Sequence, residues 1–262
     1  MNGGRTRGAP EISVVIPAKD ERDNLPILLD EIAAALHSHQ FEVLVVDDGS
    51  TDGTGEVLKD YGRENTFLRV LRHDRSGGQS CAVRSGLCHA RGAIIITIDG
   101  DGENDPAYMP ELLAALNAGG ETVGLAAGQR LGRKASLFKR YASKAANKLR
   151  GAMLKDNTRD SGCGLKAIRT DVFKRLPYFD GWHRFLPALV IREGFGVVHV
   201  DIVDRQRRHG VSNYGIWDRA LVGILDLYGV WWLRRRRRSL PSISEVEIER
   251  PAVQSREFAE QA

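Results

Sequence analysis

Three carboxylates within five residues, Asp99-Gly100-Asp101-Gly102-Glu103, are the stretch whose residue types and spacing point most directly to chemistry. Acids packed so closely repel one another unless a cation or a hydrogen-bond network compensates them. Carboxylate oxygens suit a hard divalent ion, Mg²⁺ or Mn²⁺, which completes its shell with water and substrate phosphates. Asp-Gly pairs also make turns by themselves, so a solvated acidic turn is the plain alternative. The preceding segment, Ala93 to Ile98, is apolar and β-branched apart from Thr97, lacks strict alternation and is too short for an ordinary helix. It reads as a central parallel strand covered on both faces, with the acids at its carboxyl end, the edge where open α/β sheets bind ligands.

The elements that must position these acids alternate strand and helix. Ile12 to Ile16 is an apolar strand ended by Pro17, and Leu25, Leu28, Leu29, Ile32 and Leu36 recur at helical spacing behind Asp23 or Asn24 as cap. Phe41 to Val46 is the next strand. It runs into Asp47-Asp48-Gly49-Ser50-Thr51-Asp52-Gly53-Thr54, a second acidic strand end, where Asp47 or Asp48, and Ser50, are expected to cap the following helix. Phe67 to Leu71 is a third strand, and Gly77-Gly78-Gln79 opens a helix leading back to the central strand. Pro106 to Leu116 reads as a helix, Val123 to Ala127 and Leu165 to Ile168 as strands, Phe185 to Glu193 as a helix, and Val197 to Val203 as a strand. Parallel strands joined by helices are the expected outcome.

A chain of 262 residues with 42% hydrophobic content buries a full core, and its formal charge is only +4. The charge is uneven. Arg130, Arg133, Lys134, Lys139, Arg140, Lys144 and Lys148 form a basic segment, Arg205 to Asn213 a basic loop, and Arg234 to Arg238 an unbroken arginine run. Cys81, Cys88 and Cys163 show no metal-ligand spacing and read as reduced thiols of a cytoplasmic protein. Trp182, Phe185 and Leu186 read as core, His183 and His209 as hydrogen-bonding loop residues, and Asp160 as a turn residue or an orienting acid. Residues 1–10 hold no apolar stretch and read as a disordered N-terminus without a signal peptide, and 239–262 as a disordered polar tail.

Acid clusters at two strand ends, facing two basic loops, suggest a diphosphate held by a metal and bracketed by arginines. Val15-Ile16-Pro17-Ala18-Lys19-Asp20-Glu21, Val45-Val46-Asp47-Asp48-Gly49-Ser50, the Asp99/Asp101 pair and Arg207-Arg208-His209-Gly210-Val211-Ser212 resemble the family 2 glycosyltransferases, in particular the polyprenyl-phosphate branch typified by dolichol-phosphate mannose synthase. The resemblance runs from about Ile12 to Leu233. It implies a GT-A type fold over residues 11–215, a Rossmann-like and mostly parallel sheet flanked by helices, with the nucleotide-sugar over the carboxyl edge. By that resemblance Pro17, Ala18 and Glu21 line the base and ribose region, and Val46 and Asp48 contact base or ribose. Asp99, Gly100 and Asp101 flank the diphosphate, Asp101 and Glu103 hold the metal, and Arg130 and Arg207 hold phosphates. Asn213 stands where the family often carries Lys and Glu103 where it often carries Gln, so one cationic contact is missing and one negative charge is added. Asp99, Asp101, Asp160 and Arg207 are the catalytic candidates.

The implied activity is inverting transfer of one sugar from a nucleotide-diphosphate-sugar, GDP-mannose or a UDP-sugar, to a polyprenyl phosphate. An acceptor phosphate is already anionic at neutral pH, so the chemistry asks for leaving-group stabilisation more than for a general base. A family 2 enzyme acting on a glycan or lipid hydroxyl is the nearest alternative, and a nucleotidyltransferase a further one. Nucleic acid is not an expected partner, because the internal acids would oppose its phosphates. Ile216 to Leu233 is interrupted by Asp218, Arg219 and Asp226 and is marginal against the roughly 20 apolar residues of a spanning helix. With Trp217, Leu221, Ile224, Tyr228 and Trp231 on one face and the arginines beyond, residues 216–238 read as an interfacial amphipathic helix. The expected place is peripheral, on the anionic inner face of the cell membrane.

Overall fold

The computed structural model describes residues 9–131, 150–205 and 216–238, with Pro241 and Ser244, and for 216–222 the backbone only. The strands are β1 (Ile12–Ala18), β2 (Phe41–Asp47), β3 (Leu68–Arg72), β4 (Ile94–Thr97), β5 (Val123–Arg130), β6 (Lys166–Arg169) and β7 (Gly196–Ile202). The helices are α1 (Leu25–Ala35), α2 (Thr54–Glu64), α3 (Gln79–His89), α4 (Met109–Ala118), α5 (Thr170–Arg175), α6 (Leu186–Arg192) and α7 (Ile216–Arg235).

One seven-stranded sheet, ordered β3-β2-β1-β4-β6-β5-β7, carries the fold. Helices cover both faces, as the apolar run before the acids requires. Val14, Ile16, Ile96 and Ile98 pack under α1 and α4, while Val15 and Ile95 face α3, α6 and α7 on the other side. α3 lies so close to β1 that a Cβ on Gly86 would stand 2.3 Å from Val15 Cγ1, a spacing only glycine allows.

Three details differ from the sequence expectation. β1 passes through Pro17 to Ala18, because its register with β4 covers only Ile12–Val15, so the missing Pro17 N–H falls where that ladder has ended. β6 runs antiparallel to both β4 and β5. β5 ends at the carboxyl edge and β6 starts there, Lys166 opposite Thr97, so the intervening chain re-enters from the same edge and delivers Asp160 to Gly164 beside the acids. The helix expected over Pro106 to Leu116 is a 3-10 turn, Pro106–Tyr108, followed by α4, which Pro110 restarts in its first turn. The short α5, which buries Val172 and Phe173, has too few residues to show a helical period in sequence.

Candidate active site

The acid loop follows β4 directly and lies over the end of β1. A Cβ on Gly100 would come within 3.1 Å of the Pro17 carbonyl oxygen and 3.5 Å of Ala18 Cβ, so Pro17, Ala18, Asp99 and Gly100 form one floor. The Asp99 carboxylate accepts a hydrogen bond from Gln79 Nε2 at 2.7 Å. Desolvation, with the charge of Asp101 added, pushes its pKa up to about 6, against the pull of Lys166 and Arg130. Gly164 presses against it from β6's side: a Cβ there would stand 2.4 Å from Asp99 Cγ. Asp101 accepts the Glu103 N–H at 3.1 Å around Gly102, whose φ of 73° belongs to the left-handed region.

At the second strand end the two aspartates have different duties. Asp48 accepts from Gly77 N and Gly78 N at 2.8 Å each and from Ser76 Oγ at 2.8 Å, and its other close contact is His73 Nδ1 at 2.6 Å. Burial raises its pKa, but these hydrogen bonds outweigh burial and hold the carboxyl below the usual range. Asp47 is fully buried, accepts the Ser50 N–H at 2.8 Å and lies 3.6 Å from Arg72 Nε. Neither acid caps α2, and Ser50 instead accepts the Asp20 N–H. The first turn of α2 is fastened by Asp52, which accepts the Thr54 N–H at 2.9 Å, because Gly53 in a left-handed conformation has no side chain to offer. Glu21 receives Asn24 Nδ2 at 2.6 Å, and Val46 is buried within β2.

Arg130, at the end of β5, is largely buried and committed to carboxylates. Its Nη2 donates to Asp160 Oδ1 at 2.9 Å, its Nε to Asp160 Oδ2, and its Nη1 to Asp204 at 3.3 Å. Asp160 also accepts the Gly162 N–H at 3.0 Å, and Arg130's guanidinium holds its pKa down against the effect of burial. Arg130 is thus already paired with two acids, where the resemblance gave it phosphates. Arg205 is likewise paired, with Glu31 at 2.7 Å and with Asp105. Arg207 and Asn213, with the basic segment from Arg133 to Lys148, lie outside the described residues, as do the expected N-terminal and C-terminal tails apart from a few positions.

The family model "Glycosyl transferase family 2" matches residues 13–177, the stretch that holds the acid loops, Arg130, Asp160 and Lys166. The chain belongs to glycosyl transferase family 2. Among its relatives is the dodecaprenyl-phosphate galacturonate synthase of Rhizobium johnstonii, 36% identical over 86% of this chain and 68% of that protein. Another is the undecaprenyl-phosphate 4-deoxy-4-formamido-L-arabinose transferase of Edwardsiella ictaluri, 33% identical over 78% of this chain and 63% of the relative. The chain therefore spans about two thirds of their lengths. A mannosyltransferase from Pyrobaculum calidifontis, solved with GDP-Man and Mn²⁺, shares the fold with a TM-score of 0.63 at 20% identity, over 89% of this chain and 66% of that one. The glucosyl-3-phosphoglycerate synthase of Mycobacterium tuberculosis, solved with Mn²⁺, UDP-glucose and phosphoglyceric acid, gives 0.64 at 20% over 86% and 79%. The fold is GT-A, as the resemblance implied.

This family 2 site fits a divalent ion as a shared occupant. Three carboxylates, Asp99, Asp101 and Glu103, follow one another here and the Asp99 carboxyl is desolvated, yet among the described residues no three His, Cys, Asp or Glu side chains converge to hold a metal unaided. A hard cation there needs oxygens from a bound diphosphate and water, which is how Mg²⁺ is usually held.

Residues that sequence reasoning passed over complete the site. Lys166 opens β6 with its side chain buried; its ammonium donates to the Cys163 carbonyl, and desolvation lowers its pKa although Cys163 and Asp99 oppose the shift. A lysine inside the apolar run Leu165 to Ile168 was the available signal. Asp204 supports Arg130 and accepts Asn104 Nδ2 at 3.0 Å. Trp182, Phe185 and Leu186 are core, as read from the sequence; His183, read as a hydrogen-bonding loop residue, lies in the 3-10 turn Trp182–Phe185 and meets Ser80 Oγ at 2.8 Å.

Proposed function

We propose that this protein is a metal-dependent, inverting glycosyltransferase that moves one sugar from a nucleotide-diphosphate-sugar to a polyprenyl phosphate at an anionic membrane surface. The observation that carries the reading is the meeting of Asp99, Asp101 and Glu103 with the Asp160-to-Gly164 turn at one sheet edge, in a chain whose relatives are polyprenyl-phosphate sugar transferases. Asp101 and Glu103 would hold Mg²⁺ or Mn²⁺, which when bound supplies counter-charge to the diphosphate. Pro17, Ala18, Glu21 and Val46 line the nucleotide end, and Asp48 shapes that end by fixing the 76–78 turn. Arg130 sets the position of Asp160, and Arg207 meets the phosphates. The acceptor phosphate attacks the anomeric carbon as an anion, so no side chain has to remove a proton. The donor is GDP-mannose or a UDP-sugar; the relatives' sugars, galacturonate and 4-deoxy-4-formamido-L-arabinose, weigh against restricting it to mannose.

The membrane part of the reading rests on α7. No helix among the described residues is long and apolar enough to cross a membrane. Leu227 and Val230 are buried on the catalytic domain, while Ile224, Leu225, Tyr228 and Trp232 are exposed and the arginines follow. Trp231, expected on the lipid face, is half-buried and packs toward the core, its ring 4.7 Å from the Arg235 guanidinium carbon. The exposed apolar face is therefore turned toward Leu225 and Trp232, away from the Trp231 side that the sequence period suggested.

Screening UDP- and GDP-sugars with undecaprenyl and dolichyl phosphate, in Mn²⁺, tests the proposal. Release of a nucleoside diphosphate with a glycosylated lipid phosphate supports it. Release of pyrophosphate, transfer only to hydroxyl acceptors, or no nucleotide-sugar binding at all would overturn it.

A further inference from the structure

A cleft of about 120 Å³ opens between Asp99 on the acid loop, Lys166 on β6 and His183 in the turn before α6, with Pro17 and Leu186 among its apolar walls. That volume is the scale of one small ring rather than of a nucleotide. Gln79 also lines it and holds one oxygen of Asp99.

Ser80 controls how His183 meets this cleft. Its Oγ accepts the Gly181 N–H at 2.8 Å, and the acceptor within reach of its own proton, among the described residues, is His183 Nδ1 at 2.8 Å. A histidine that accepts at Nδ1 carries its proton on Nε2. Burial, with the charges of Lys166 and Arg184 added, holds the His183 pKa down to about 3, so the ring is neutral. The cleft thus offers a neutral N–H donor and a carboxylate acceptor. Its charges are balanced: Lys166 and Asp99 offset each other, and Arg184 leans toward Asp226 at 3.9 Å. An incoming phosphate would face Asp99 without a surplus of positive charge. A sugar ring suits the surroundings better, because each hydroxyl both donates and accepts and the ring's apolar face can lie on Pro17 or Leu186.

We infer that this cleft receives the sugar to be transferred, that His183 selects it by donating Nε2–H to a ring hydroxyl, and that Ser80 is the positioning residue that fixes the tautomer. The inference rests on the donor reading above and deepens it. It places sugar selection on three segments remote in sequence, around residues 80, 166 and 183, with Pro17 at the border between the cleft and the nucleotide end.

The test compares two affinities by calorimetry in Mn²⁺: that of the nucleotide-sugar which the wild type binds most tightly among UDP-galacturonate, UDP-glucose and GDP-mannose, and that of its bare nucleoside diphosphate. His183→Phe keeps a ring but removes the donor, and should weaken the nucleotide-sugar about tenfold, the scale of one lost hydrogen bond, while leaving the bare nucleotide within about twofold. His183→Gln, whose amide reaches the same region, should recover most of the loss. Ser80→Ala should shift ¹⁵N-imidazole resonances of His183 toward a tautomer mixture and weaken the nucleotide-sugar alone. If His183→Phe weakens both ligands equally, or changes only the KM for the lipid phosphate, the inference is wrong. A wild type that binds a nucleotide-sugar no better than its bare nucleotide also overturns it. A wild type that binds neither removes the donor reading itself, and the inference with it.

Discussion

Removing the Asp48 carboxylate separates a structural duty from a ligand contact at the same atom. In the free protein it accepts from two backbone N–H groups and the Ser76 hydroxyl and meets His73, all across 25 to 30 residues of chain. Gly77 and Ser76 are exposed, so in Asp48→Ala water reaches the freed groups and the full penalty of orphaned donors does not apply. Counting about 1 kcal/mol for each lost bond gives roughly 3 to 4 kcal/mol, which for a chain of this size lowers Tm by about 10 °C. Asp48→Asn keeps one acceptor oxygen and should fall about halfway. The folded pKa lies below the unfolded one, so this stabilisation is present above about pH 4 and is lost as pH falls through the folded value. Thermal melts of the wild type and both variants, repeated between neutral and acid pH, read all of this. An Asp48→Ala protein that melts with the wild type yet no longer binds nucleotide would refute the structural duty and return Asp48 to direct recognition of base or ribose.

Asp101→Asn should abolish most turnover while leaving the melt unchanged or slightly raised, since it removes a proposed metal ligand and relieves carboxylate repulsion; turnover that survives both this change and EDTA would take the metal out of the mechanism. Arg207→Ala should lower catalytic efficiency far more than Lys144→Ala, read in steady-state kinetics, because the resemblance puts Arg207, and not Lys144, at the phosphates. Replacing Arg234 to Arg238 with Gln should reduce sedimentation with anionic liposomes and flatten its salt dependence, each charge near the surface being worth about 1 kcal/mol; a wild type that ignores anionic liposomes at low salt would sink the membrane reading.

β1, β2 and β4 were legible because each is a compact apolar run with Pro or acids at or just beyond its carboxyl end, whereas β3, Leu68–Arg72, interleaves Arg69 and Arg72 with its apolar residues and shows only as a short alternation. The direction of β6 was not legible, since nothing in Leu165 to Ile168 records which edge the preceding chain returns from. The same limit applies to side chains. Asp48 reads as a strand-end acid, but its partners sit at 73 to 78 and no local pattern ties them to it. The Gln79, Lys166 and His183 cleft is assembled from three distant segments, and only the odd lysine in an apolar strand gave any sign of it.

Charge shows the consequence most clearly. A sequence displays cations as free, whereas a low-dielectric interior keeps them only if they are paired. Arg130 is spent on Asp160 and Asp204, Arg205 on Glu31 and Asp105, and Lys166 stands against Asp99. These cations hold the acids of the site in place, and a diphosphate entering among them meets a frame already close to balance. On the proposed reading, the counter-charge for a departing nucleoside diphosphate would come from what binds with it at Asp101 and Glu103 and from Arg207. On that account Arg130→Ala should act first by releasing Asp160 and lowering stability, whereas Arg207→Ala should leave the melt alone and weaken the phosphate contact; a melt lowered only by the Arg207 change would reverse the assignment.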